Sequence, residues 1–88
     1  MKIIELKNVV RKDVPIYYRR LYTSIAVLEL LNKTSEVPLE FQIEHMPTGS
    51  IEITIISMGN VDYPLVPLKK ELKNFIGVLD SAGKLPTT

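Results

Sequence analysis

The segment from residue 39 to residue 56 constrains the fold of this chain more than any other. Apolar and polar side chains alternate in its first half and again in its second half, with Met46-Pro47-Thr48-Gly49 between them. Alternation with period two is the pattern of a strand buried on one face, and a proline–glycine turn between two such runs is typical of a hairpin. The segment therefore predicts a β-hairpin with one apolar and one acidic face.

The turn residues also predict how the two strands of this hairpin pair. Pro47 presets φ for the first central position of a type I turn, and Gly49 suits the left-handed position that follows. The predicted opposite pairs are His45 with Ile51, Ile43 with Ile53, Phe41 with Ile55, and Glu44 with Glu52. The last pair brings like charges together, and a basic neighbour such as Lys7 would relieve the repulsion.

Length and composition predict a single small α+β domain over residues 1–88. The apolar fraction of 45% is ordinary for a globular protein. The chain has no cysteine, which fits a reducing compartment and leaves no disulfide or thiolate–zinc site to support so small a core. Charged residues near the N-terminus do not suit a signal peptide, and no run approaches the ~20 apolar residues of a membrane span. We expect a cytoplasmic protein that does not enter membranes.

Charge is distributed unevenly along the chain, although the net charge is only +1. Residues 1–33 carry a net charge of +4, residues 34–68 carry −5 without any lysine or arginine, and residues 69–88 carry +2. One interpretation is that the basic segments lie beside the acidic hairpin within the fold. The other is that two surfaces meet partners of different charge. The first interpretation is the simpler one.

Two segments precede the hairpin. Residues 2–10 are apolar on both faces, which predicts a strand. In residues 16–31, apolar pairs and polar pairs take turns, and on a helix Tyr18, Leu21 and Ile25 would share one face. The many β-branched and aromatic residues favour a long strand instead. The pattern favours a helix, with the strand as the alternative.

The C-terminal part predicts an amphipathic helix with Pro67 in its first turn and a stop at Gly83. The fold class is thus α+β, a small antiparallel or mixed sheet with a C-terminal helix. Its order is β-α-β-β-α, or β-β-β-β-α if residues 16–31 are extended. The predicted core comprises Ile4, Leu6, Leu21, Ile25, Leu28, Phe41, Ile43, Ile53, Ile55, Leu68, Leu72, Phe75 and Leu79.

One cluster of residues suggests molecular recognition. Arginine binds phosphates with two parallel hydrogen bonds, and tyrosine offers a face on which bases stack. The candidate binding residues are Arg11, Lys12, Tyr18, Arg19, Arg20 and Tyr22. The competing interpretation is that the tyrosines belong to the core and the arginines to a solvated stripe.

The sequence offers little for catalysis or for metal and cofactor binding. His45 is the only histidine, and it stands on the apolar face beside the turn, where a structural role is expected. Glu40, Glu44 and Glu52 share one hairpin face and could hold a hard cation, but they lack calcium-loop spacing, so a solvated or salt-bridged face is expected. We predict no enzyme activity, no metal and no cofactor.

These observations lead to two functional hypotheses. The first is a non-enzymatic protein-interaction module that self-associates as a homo-oligomer, because residues 2–10 and 16–31 carry more apolar positions than one small core can cover. The second is single-stranded nucleic-acid binding through the arginine and tyrosine cluster. Some single-stranded nucleic-acid-binding domains also have four strands followed by a helix, but no motif links this chain to them.

Overall fold

The structure, a computed structural model, describes residues 1–87, and Thr88 lies outside the described residues. These residues form the elements β1 (Lys2–Lys12), β2 (Arg19–Leu30), β3 (Lys33–His45), β4 (Ile51–Met58) and α1 (Leu65–Ser81). The strands form an antiparallel sheet in the order β1-β2-β3-β4. The α+β class is confirmed, with the alternative order β-β-β-β-α.

The helix predicted for residues 16 to 31 is wrong, because most of this segment is β2, a central strand between β1 and β3. Leu21 and Tyr22 point to opposite faces of the sheet, and both are apolar; Thr23 and Ser24 do the same with polar side chains. Apolar residues therefore lie at the same level on both faces. This arrangement produces doublets along the sequence that imitate the period of a helix.

Both connections around β3 are tight turns. Leu31 and Asn32 join β2 to β3 with φ of 48° and 63°, the left-handed geometry of a two-residue hairpin turn. The turn before β4 is the predicted one, with Gly49 at φ 91° and a 2.9 Å hydrogen bond from the Met46 amide to the Ser50 carbonyl. All four predicted pairs between β3 and β4 are confirmed.

Helix α1 covers one face of the sheet, which we call the helix face; the opposite face is the outer face. Pro67 lies in the first turn of α1, as predicted. Leu68, Leu72 and Ile76 are spaced by four residues and point at the sheet. The buried core cluster consists of Tyr22, Ala26, Leu28, Val37, Leu39, Phe41, Ile43, Leu68, Leu72, Ile76 and Leu85.

The predicted core was correct for the hairpin and for most of the helix stripe but wrong around β2. Ile4 is exposed, and Leu21 and Ile25 lie on the outer face because they occupy odd positions of β2. Tyr22 and Ala26, at even positions, are fully buried instead. The error follows from the wrong helical assignment, which placed the buried face one residue away.

The chain after α1 folds back onto the sheet. Gly83 has φ of 68°, and the amide of Lys84 donates to the carbonyl of Leu79 at 2.9 Å, which together form a Schellman end. The reversal carries Leu85 into the core, where its side chain is buried. Residues 83–87 therefore close one end of the molecule.

Candidate functional site

The residues predicted as one recognition cluster do not share one surface. Arg11, Arg20 and Tyr22 lie on the helix face, Lys12 and Arg19 lie on the outer face, and Tyr18 lies in the loop before β2. The cause is the alternation of side chains along a strand, which sends consecutive residues to opposite faces. A helix would have kept these side chains closer together.

Arg20 binds groups of its own chain. Its Nη1 donates to Asp80 Oδ1 at 2.9 Å and to the Tyr22 hydroxyl at 3.1 Å, and its Nε donates to His45 Nε2 at 3.2 Å. Burial by itself lowers the pKa of Arg20, but the hydrogen bond to Asp80 and the contact with Tyr22 outweigh it, so the pKa is raised. Arg20 therefore ties β2 to the end of α1.

Tyr22 and Arg11 hold the C-terminal segment. The ring of Tyr22 is buried and stacks on Phe41, with centroids 5.1 Å apart. Its hydroxyl donates to the carbonyl of Pro86 at 3.5 Å, and Arg11 Nη1 donates to the carbonyl of Thr87 at 2.7 Å. These contacts give both residues structural partners on the helix face.

The outer face is crossed by ion pairs between basic and acidic strands. Lys7 binds Glu36 at 2.6 Å and Lys12 binds Glu40 at 2.7 Å, each reaching from β1 across β2 to β3. Since these pairs pass over Leu21, Ile25 and Val27, their aliphatic stems cover the apolar side of β2. The interpretation in which the basic segments lie beside the acidic hairpin is confirmed.

Arg19 pairs with Glu44 at 3.3 Å, directly across from it in the register of β2 and β3. This contact, rather than one from Lys7, relieves the repulsion between Glu44 and Glu52. Within residues 1–87, no group of three histidine, aspartate or glutamate side chains is arranged to hold a metal ion.

The loop before β2 leaves two tyrosines accessible. Tyr17 is 95% exposed, and its ring meets that of Tyr18 edge to face, with centroids 5.9 Å apart. The guanidinium carbon of Arg19 lies 5.6 Å from the centroid of Tyr18. Of the predicted cluster, Tyr18 and Arg19 therefore still lie together at an accessible corner.

The free edge of β4 is the feature that the sequence reasoning missed. Residues 51–58 contain neither lysine, arginine nor proline, which are the residues that commonly protect an edge strand. β3 pairs with one side of β4, and the backbone groups that point to the other side have no strand partner within residues 1–87. The absence of protecting residues was the available signal.

The opposite edge of the sheet, β1, is irregular and charged. Its register with β2 shifts between Ile3 and Glu5 and again between Lys7 and Val10, and Asn8 has a left-handed φ of 53°. Such bulges and charges prevent another strand from pairing along an edge. The two edges of the sheet are therefore unequal.

A groove runs between β4 and α1 beside the free edge. Its wider part has a volume of about 790 Å³ and is lined by Ile51, Ile53, Gly77 and Val78, among others. Its other part, about 490 Å³, contains Ile55 and the start of the helix. Gly77 keeps the groove open, because a helical residue with a side chain would fill the space above Ile53.

Comparisons with known proteins add the family of the chain. Within residues 1–87, no helix is both long enough and apolar enough to cross a lipid bilayer. No curated protein and no solved structure matches the chain. A family model does match it, over residues 1–81, which is nearly the whole sheet and helix. The chain therefore belongs to the BB_0187 family.

Proposed function

We propose that the protein is a non-enzymatic interaction module that binds another polypeptide strand along the free edge of β4 and that it self-associates. The observation that carries the proposal is the contrast between the two edges of the sheet. β1 has bulges, a left-handed Asn8 and several lysines, whereas β4 has a regular edge from Ile51 to Ile55. Strand addition at such an edge is a common mode of protein recognition.

The groove beside β4 supports the same proposal. A strand added at the edge would place every second side chain over the space next to Ile53 and Gly77, so that apolar residues of the partner would extend the core. The outer face offers less, because ion pairs already cover the apolar side chains of β2. The interaction surface is therefore the edge and not the sheet face.

The residues that catalysis would use have other partners. Nε2 of His45 accepts a hydrogen bond from Arg20, and the carboxylates of Glu40 and Glu44 are paired with Lys12 and Arg19. This supports a non-enzymatic role. The absence of cysteine supports a cytoplasmic location, where disulfides do not contribute to stability.

Sedimentation equilibrium between about 1 and 300 µM tests self-association. Ile51→Lys introduces a charge on the apolar side of the β4 edge and should raise the dissociation constant at least tenfold. Ile4→Lys is the matched control, because Ile4 lies on β1 and is 40% exposed, against 39% for Ile51. A monomeric wild type over the whole range, or equal effects of the two variants, would overturn the proposal.

A second candidate function is single-stranded nucleic-acid binding at the corner formed by Tyr17, Tyr18 and Arg19. Exposed aromatic rings beside an arginine form the arrangement on which bases stack. The acidic outer face and the internal contacts of Arg11, Lys12 and Arg20 argue against a larger binding surface. This function is accordingly the weaker of the two.

Fluorescence anisotropy with labelled DNA and RNA oligonucleotides at low salt tests this second function. We expect Tyr17→Ala to weaken any binding several-fold, and the affinity to fall steeply as salt is added. Leu31→Ala is the control, since Leu31 is a similarly exposed residue in a turn elsewhere in the sheet. Absence of binding at tens of micromolar protein would rule the function out.

A further inference from the structure

We propose that the strand bound at the β4 edge is β4 of a second copy, paired antiparallel about a two-fold axis at Ile53. This inference rests on the proposed function and adds the identity of the partner strand and its register. It predicts an eight-stranded sheet in a symmetric dimer, with a helix from each copy on the same face.

The hydrogen-bonding pattern of β4 selects this register. The Met46 amide donates to Ser50, so these two residues form a bonded pair, and bonded and non-bonded pairs alternate from there. Ile51, Ile53 and Ile55 fall in non-bonded pairs with β3, and their amides and carbonyls therefore point to the free edge. Pairing about Ile53 joins all of these groups to the same groups of the second copy.

Neighbouring registers use fewer of these groups. The ladder between β3 and β4 shifts between Glu40 and Phe41, which makes Ile56 the extra residue of a bulge and ends the regular edge at Ile55. A register centred on Thr54 would pair Ile51 with Ser57, beyond the bulge. A register centred on Glu52 would place Ile55 opposite the hairpin turn.

Charge selects the same register. About an axis at Ile53, Glu52 of one copy lies opposite Thr54 of the other, and the remaining positions of the pair are isoleucines. About an axis at Glu52, two carboxylates would face each other while each also faces Glu44 of its own chain. The favoured register therefore avoids adding a repulsive contact on the outer face.

A second copy suits this edge because the strand is complementary to itself. Ile51, Ile53 and Ile55 of both copies would meet on the helix face, and each set would extend the apolar floor of the other groove. Pairing of β4 with β1 of another copy would build an open chain of molecules, but the bulges of β1 oppose it. The symmetric pair closes on itself.

Two variants at one position test the register. Thr54→Lys would place a lysine opposite Glu52 of the second copy and should tighten self-association roughly two- to tenfold, whereas Thr54→Glu should weaken it by a similar factor. About an axis at Thr54, both variants would bring like charges together and both would weaken the dimer. A dimer that both variants weaken would overturn the register while leaving self-association standing.

Cysteine cross-linking gives an independent readout, since the chain has no cysteine of its own. A mixture of Glu52→Cys and Thr54→Cys proteins should form an inter-chain disulfide faster than either variant alone, because these positions form a close non-bonded pair. Equal rates in the mixture and in the single variants would contradict the inference. A wild type that stays monomeric would remove both the inference and the self-association on which it rests.

Discussion

The guanidinium of Arg20, at the start of β2, lies 2.9 Å from the carboxylate of Asp80, near the end of α1. Both side chains are largely shielded from water, with 17% and 18% of their surface exposed. The same arginine also reaches Tyr22 and His45, so that three elements meet at one cation. A residue predicted to bind an external ligand is thus part of the internal framework.

We expect Asp80→Ala to lower the free energy of unfolding by about 1 to 3 kcal/mol, because it leaves a partly buried guanidinium without its anion. Glu36→Ala is the matched control: it breaks the exposed pair with Lys7 and should cost less than about 1 kcal/mol. Urea unfolding followed by circular dichroism measures both. Equal losses would mean that shielding from water does not strengthen the Arg20 pair.

The turn between β2 and β3 contains a strained residue. Leu31 has φ of 48° while its side chain is 93% exposed, so it bears the cost of a left-handed conformation with little burial in return. Leu31→Gly should therefore raise the free energy of unfolding by about 1 kcal/mol. Leu31→Ala, which keeps the strain and removes the side chain, should change it by less than about 0.5 kcal/mol. A destabilising effect of the glycine variant would contradict this explanation.

Two glycines should respond in opposite ways to alanine. A Cβ at Gly59 would lie 2.9 Å from Pro38 Cδ and 3.3 Å from Val37 Cγ1, and the proline ring has little freedom to move. We expect Gly59→Ala to cost about 1 to 3 kcal/mol. At Gly77 the nearest atom would be Ile53 Cδ1 at 3.6 Å, an ordinary contact, and alanine should stabilise the helix by about 0.5 to 1 kcal/mol. Thermal unfolding of both variants measures the contrast, and a stable Gly59→Ala protein would refute the predicted clash.

Ser24 is buried on the helix face, and its hydroxyl has no hydrogen-bond partner among the described residues. An unpaired buried hydroxyl opposes folding, so Ser24→Ala should raise the free energy of unfolding by about 1 kcal/mol. Ser57→Ala, at an exposed position of β4, should have little effect. Chemical denaturation of the two proteins decides the point, and a marked loss in Ser24→Ala would reveal a partner for the hydroxyl.

Local patterns sufficed for the hairpin and the C-terminal helix. In β3 and β4 one face is apolar and the other polar, and the Pro47–Gly49 turn fixes the register, so each pair was predictable. In α1 the stripe from Leu68 to Ile76 follows the helical period, and Gly83 marks its end. Where one face of an element is buried and its ends carry turn residues, sequence and structure agree.

β2 was not predictable in this way, because both of its faces are covered. The helix face is covered by α1 and the outer face by ion pairs that β1 and β3 supply from outside the strand. A local pattern does not record what lies over the second face. The fate of Arg20 and Tyr22 depended on the same fact, since the choice between helix and strand decided where each of them points.

The sequence by itself determined the hairpin, its turn, the helix that follows and the charge balance between the segments, because these depend on residues close together in the chain. Only the tertiary structure decided that β2 is a central strand, that Arg20 binds Asp80 and that β4 keeps a free edge beside a groove. Those features depend on which segments become neighbours, and neighbours are selected by the burial and pairing of residues distant in the chain.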